Sequence, residues 1–122
     1  MYNGIVKKIH FFDDRDSNFI GAVVPLLTPL KVPKYEIIFR KGNHPNAIFF
    51  ITKGRVSFYV EKKKITFKDM VEGGYFGEID IIVRRPRLYT VIATEESHFL
   101  TLTKKIFEEV IIKEFPDVYE EM

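Results

Sequence analysis

The chain has 122 residues, enough for one domain, and its 46% hydrophobic and 30% charged residues exclude a disordered segment. A formal net charge of +2 is too small for a nucleic-acid binder, which carries a basic face or stripe. The absence of cysteine excludes disulfides and thiolate metal sites, and no apolar run approaches the roughly 20 residues that span a bilayer.

Charges recur from Lys7 to Arg15, so the N-terminus does not read as a signal peptide and the chain is expected to be soluble. Three zones follow in order. Residues 1–31 read as a helical lead-in, with Ile5, Ile9 and Phe12 at i, i+4 and i+7 forming one apolar face. Asp16 and Ser17 offer an N-cap for a second short helix through Phe19, Ile20, Val23 and Val24, limited by Pro25 and Pro29.

Residues 32–102 change to the period of strands. Glu36–Arg40 reads as a strand ending at the turn Lys41-Gly42-Asn43. Ala47–Thr52 and Arg55–Val60 are β-rich runs around Lys53-Gly54, read as a hairpin. Lys62-Lys63-Lys64 then forms a solvated tip, and Ile65–Met70 alternates as a half-buried strand should. Leu88–Ala93 and Ser97–Leu102 read as a further pair around Thr94-Glu95-Glu96. Short strands at this spacing argue for a sandwich or barrel. Residues 103–122 are helical again. Thr103 is the cap, Ile106 and Val110 are expected inside with Phe107 and Ile111 as further candidates, and Pro116 is the break before an uncompleted helix.

The chemistry is concentrated at residues 73–90. Gly73, Gly74 and Gly77 allow a tight turn and a close approach of backbone to a ligand. Gly77–Ile82 is expected to form a short helix whose free amides face an anion. Nine residues after Glu78 stands Arg87, behind Pro86, with a guanidinium suited to gripping a phosphate diester by two bonds. Glu78, an acceptor when ionised, suits a ribose hydroxyl. An acceptor, an anion nest and a fork of donors in one segment match a sugar bonded to its own phosphate.

Phe76-Gly77-Glu78-Ile79 followed by Pro86-Arg87 and Thr90 resembles the phosphate-binding cassette of the cyclic nucleotide-binding domain family. The likeness covers nearly the whole chain. Lys7–Phe12, Asp14–Asp16 and Asn18–Ile20 are similar to the lead-in of its ion-channel branch, the hyperpolarisation-activated and cyclic nucleotide-gated channels. Ile37–Gly42 and Phe49–Val56 are similar to its roll strands. The resemblance implies a mainly β fold: an eight-stranded antiparallel β-roll, double-stranded and jelly-roll-like, with N-terminal helices, a short cassette helix and a C-terminal helix. It implies that Arg87 pairs with the cyclic phosphate of cAMP or cGMP and that Glu78 accepts from the 2′-hydroxyl. Backbone amides near Gly77, Ile79 and Leu88 would complete the nest, and a helix after residue 116 would act as a lid.

Three residues depart from that pattern. Asp80 replaces a small uncharged residue; its carboxylate either repels the phosphate or turns away to pair with Arg84 or Arg85. Leu88 supplies no hydroxyl, which weakens a preference for cGMP, and strand alternation places Tyr89 on the side of Arg87, where its ring crowds the pocket. Arg84 and Arg85 read as solvated cations that could add to the positive field. The expected function is regulatory and not enzymatic. The chain reads as a cytoplasmic piece of a larger membrane channel that has no membrane insertion of its own and works with a pore domain and neighbouring subunits. The competing reading keeps the fold as an interaction or assembly element without ligand. A cupin-type metalloenzyme would need clustered ligands, which the dispersed His10, His44 and His98 do not supply, and no cofactor is expected. No helix-turn-helix follows the roll, against a transcription regulator.

Overall fold

The computed structural model describes residues 3–122, where eight antiparallel strands form two four-stranded sheets flanked by helices. The helical lead-in is broken. Helix α1 (Asn3–Val6) gives way to a 3-10 turn at His10–Phe12, and α2 (Ser17–Val23) follows. Ile5, Ile9 and Phe12, expected on one helical face, fall in α1, in the link after it and in the 3-10 turn; Ile9 and Phe12 are buried, and Ile5 lies outside the described side chains. Asp16 caps α2 as expected, its side chain accepting from the Asn18 amide at 2.7 Å.

Strands begin four residues before Val32. The first, β1 (Thr28–Val32), carries Pro29 on the edge of its sheet, where a missing amide is tolerated. The remaining strands are β2 (Ile37–Phe39), β3 (Ala47–Lys53), β4 (Arg55–Val60), β5 (Ile65–Val71), β6 (Tyr75–Phe76), β7 (Thr90–Ala93) and β8 (Ser97–Thr103). One sheet runs β1-β8-β3-β6 and the other β2-β7-β4-β5.

This order corrects two of the expected pairings. Lys53-Gly54 is not a hairpin turn, because β3 and β4 lie in different sheets; likewise β7 and β8 separate at Thr94–Glu96. Both connections are corners, and they lock together. The Thr94 amide donates to the Arg55 carbonyl at 2.9 Å, and Ser97 Oγ donates to that carbonyl and accepts from the Arg55 amide, each at 3.2 Å. The β4–β5 connection is a true hairpin with Lys62–Lys64 at its exposed tip. Its second strand departs from the expected half-burial: Ile65, Phe67 and Val71 are exposed on a sheet edge.

The sheet containing β3 is covered on both faces. Successive β3 side chains point to opposite sides. Ile48 and Phe50 join Phe11, Phe12, Phe19 and Leu102 beneath the helices, while Phe49 and Ile51 join Phe76, Val91 and Phe99 inside the roll. This explains the unbroken apolar run in β3, since a strand buried on both faces has no polar side.

Helix α4 (Lys104–Ile106), capped by Thr103 Oγ1 accepting from the Ile106 amide, widens into a π-helical segment at Phe107–Ile112. Phe107 and Ile111 are the buried pair there, while Ile106 and Val110 are half-buried, the reverse of the expected emphasis. Helix α5 (Pro116–Glu121) starts at Pro116, and the lead-in meets the C-terminal segment: Phe19 packs edge-on against Phe115 at 5.0 Å, and Arg15 pairs with Glu121.

Gly54 is the tightest point of the corner. Its φ is +100°, and a Cβ there would stand 2.6 Å from the Glu96 carbonyl oxygen and 2.8 Å from Ser97 Cα. Gly54→Ala is expected to destabilise the domain by about 2 kcal/mol or more, lowering Tm by several degrees. Gly21→Ala, on α2 with open space around it, is the control and should hold or raise Tm.

Candidate functional site

The segment that follows β5 is built by backbone bonds. The Gly73 amide donates to the Ile51 carbonyl and the Ile51 amide to the Gly74 carbonyl, both at 2.9 Å, while the His10 amide reaches the Gly73 carbonyl at 3.0 Å. The lead-in and the central strand thus hold the same turn. β6 then pairs with β3, and Gly77, at φ +92°, turns the chain into helix α3 (Glu78–Ile82). A side chain at Gly77 would meet the Ala47 carbonyl at 3.1 Å and Arg87 Nη1 at 3.2 Å, so only glycine lets these groups approach. After α3 the chain doubles back, with the Arg85 amide donating to the Asp80 carbonyl at 3.0 Å. Arg87 is anchored through its backbone: its amide donates to Asn43, and its carbonyl accepts from Gly42.

The Arg87 side chain is buried, with 1% of its surface exposed. Its Nη1 donates to the Gly77 carbonyl at 2.6 Å and to Asp80 Oδ2 at 3.3 Å, and its Nη2 to the Ala47 carbonyl at 2.8 Å. The guanidinium carbon also lies 4.0 Å from the centre of the Phe39 ring. Burial pulls this guanidinium below its ordinary range, and the Asp80 carboxylate opposes that shift. Asp80 is shared, accepting from Arg85 Nε at 2.8 Å through its other oxygen.

These groups border a cavity of ≈ 190 Å³. Phe39, Phe58, Phe67, Tyr75, Phe76 and Tyr89 supply its aromatic walls, and Met70, Lys68, Gly77, Glu78, Ile79, Asp80 and Arg85 supply the rest. Tyr89 lies against Phe67, ring centres 4.7 Å apart. Tyr75 is shared with the helical core, where it packs on Phe11 and Phe50. Burial raises the Glu78 carboxyl above its ordinary value. The Glu78 and Ile79 amides and Lys68 work against the rise, and Asp80 adds to it. Burial likewise raises the Tyr75 phenol, with Glu78 adding and Arg15 opposing.

Gly77, Glu78, Ile79, Asp80 and Tyr89 thus meet at one cavity, and Arg87 stands behind its wall, bonded to two of the residues that form it. Leu88 is exposed and does not line it; β7 begins only at Thr90, so the strand alternation expected for residues 87–89 does not apply, and Arg87 is buried while Leu88 and Tyr89 are both exposed. Asp80 pairs with Arg85, one of the two partners expected, and also with Arg87, which the sequence did not suggest. Arg85 is therefore part of the wall. Arg84 lies in a separate shallow recess with His44 and Lys104. Phe39 and Phe58 escaped attention because their role depends on which strands face α3. Among the described residues no three His, Cys, Asp or Glu side chains gather as a metal set, and no helix is long and apolar enough to cross a membrane.

The model of the cyclic nucleotide-binding domain matches residues 29–114. A cyclic nucleotide-gated potassium channel of Rhizobium etli is 29% identical over 116 residues, 95% of this chain and 32% of that protein. A cAMP-dependent protein kinase regulatory subunit of Candida albicans is 25% identical over 108 residues, 88% of this chain and 23% of that protein. The chain spans a third or less of these relatives. Among solved structures, the regulatory domain of Toxoplasma gondii PKA, co-crystallised with cAMP, superposes with a TM-score of 0.83 at 24% identity, covering 99% of this chain and 48% of that one. The regulatory subunit of a cAMP-independent protein kinase A from Trypanosoma brucei gives 0.84 at 16%, covering 98% and 44%. These two likenesses establish the fold.

The raised Glu78 carboxyl has a consequence for stability. The folded state holds this proton to higher pH than the unfolded chain does. Stability is therefore lost as pH rises through the unfolded and then the folded value. Glu78→Gln is expected to raise Tm at neutral pH, with the gain shrinking towards pH 4; a gain independent of pH would exclude a burial penalty.

Proposed function

The chain belongs to the cyclic nucleotide-binding domain family, and from that premise we propose that its aromatic cavity takes a 3′,5′-cyclic nucleotide, as a regulatory module and not an enzyme. The observation that carries the reading is that Glu78, Arg85 and the two residues bonded to Arg87 form one wall of a cavity whose other walls are aromatic. Such a pocket offers an acceptor for the ribose 2′-hydroxyl, a guanidinium pair for the phosphate and ring faces for the base. The amides near Gly77, Ile79 and Leu88 are the remaining donors for the phosphate. Leu88 supplies no hydroxyl, which favours cAMP over cGMP.

The cavity, at ≈ 190 Å³, lies below the roughly 300–1,000 Å³ of small-molecule pockets and is open to solvent, so the ligand would extend from its mouth or displace side chains there. Tyr89 and Phe67, both exposed and resting on each other, are the pair free to move. Displacement would be felt at Tyr75, which packs on Phe11, while Arg15 joins the lead-in to α5 through Glu121. This gives a path from ligand to both chain ends. In the parent protein those ends would act on a channel pore domain and its neighbouring subunits at the cytoplasmic side of a membrane, as the channel relatives suggest; a kinase regulatory role has the support of the other relatives.

A second reading, an assembly element with no ligand, draws on the saturation of the Arg87 Nη1 hydrogens by the protein's own acceptors. Isothermal titration with cAMP and cGMP separates the two. The expected result is one-to-one binding, tighter for cAMP, and weakened about tenfold or more in Arg87→Gln, as follows from losing a charge-assisted bond of roughly 1.5–3 kcal/mol. No heat of binding and no rise in Tm at millimolar nucleotide would favour the assembly reading.

A further inference from the structure

We propose that Asp80 is a built-in counter-ion that competes with the ligand's phosphate for Arg87 and Arg85, and so sets the affinity of the site. The inference rests on the cyclic-nucleotide reading of the cavity. Its basis is the division of labour around Arg87. The Gly77 and Ala47 carbonyls, at 2.6 and 2.8 Å, and the Phe39 ring at 4.0 Å hold the guanidinium in place. Asp80 adds the longest of its bonds, at 3.3 Å, and, among the described residues, the only full negative charge in direct contact with it. Position is thus secured by backbone, and charge by one carboxylate.

Asp80 is itself largely buried, with 13% of its side-chain surface exposed, and its second oxygen engages Arg85 at 2.8 Å. One carboxylate therefore bridges two guanidinium groups at the cavity wall, which is the geometry a phosphodiester would adopt there. The two anions cannot share the same Nη1 hydrogen, because Nη1 has two and the Gly77 carbonyl takes the other. A phosphate that takes the Nη1 hydrogen must displace Asp80, and one that takes Nε or the second Nη2 hydrogen instead meets the Asp80 charge on the same guanidinium, with Glu78 nearby. Removing Asp80 leaves Arg87 held where it is but without its counter-ion, a buried cation that gains most from an incoming anion.

Titration calorimetry on the intact chain tests this with cAMP and with adenosine, which lacks the phosphate. Asp80→Ala is expected to tighten cAMP binding about tenfold to a hundredfold, the lower part of the coupling range at close charge pairs, and to change adenosine binding much less. The gain should shrink when Arg87→Gln is added, leaving the part that acts through Arg85. Asp80→Asn, which keeps an acceptor without charge, should show the same direction if the alanine variant is too unstable to titrate. A folded Asp80 variant that binds cAMP no better than the parent overturns the inference while leaving the cyclic-nucleotide reading intact. An equal gain for adenosine also overturns it, since a general loosening of the cavity would act on both. If the parent and every variant fail to bind cAMP, the underlying reading fails, and the inference with it.

Discussion

A guanidinium does not give up its proton in a protein, so burying Arg87 obliges the fold to surround it with acceptors. Much of the site's architecture answers that demand. Gly77 adopts a left-handed conformation and brings its carbonyl to Nη1; β3 ends its sheet pairing at Ala47 and turns a carbonyl to Nη2; β2 supplies the Phe39 ring. Among the described residues the sole formal charge bonded to it is Asp80, placed in the first turn of α3, where the helix dipole favours a carboxylate. Chain turns as far apart as residues 42–43 and 77–80 are tied to one side chain and its backbone.

The second organising constraint is that one sheet must serve two interiors. β3 and β8 divide their side chains between the roll and the helical layer, so the cassette that follows β6 is braced from both sides. The interlocked corners at Gly54 and Ser97 make this possible by moving the chain between sheets twice at nearly the same place. Tyr75 then belongs to both the helical core and the cavity wall, and the lead-in and α5 meet through Arg15 and Phe19. Side chains of the cavity wall are therefore packed into one network with the lead-in and α5.

Much of the fold was legible in the residues themselves. Alternation and glycine-bearing turns located most strands to within a residue or two, and the caps at Asp16 and Thr103 were readable because a side-chain oxygen before an apolar periodic run has one local use. Burial of β5 was misjudged because alternation reports a two-faced strand without saying whether a second layer covers it. The corners at Lys53-Gly54 and Thr94–Glu96 read as hairpins because a short polar link with glycine has the same composition whether the next strand pairs with its predecessor or crosses to the other sheet. In the C-terminal segment Ile106/Val110 and Phe107/Ile111 share the same i, i+4 spacing, so period alone does not choose between them, and packing against the helical core buries Phe107 and Ile111.

The residues from Gly73 to Thr90 by themselves determined the family and the chemical parts: an acceptor at Glu78, a turn at Gly77, and a fork of donors at Arg87. These depend on residue type and spacing along the chain, which one sequence carries in full. Tertiary structure alone decided what those parts face. It buried Arg87 behind the cavity wall, gave it Asp80 as a neighbour, drew Arg85 into the wall beside them, and set Tyr89 against Phe67 from another strand. The reason is that charge pairing and enclosure depend on distances across the fold, set by how the two sheets close and not by any spacing within the segment.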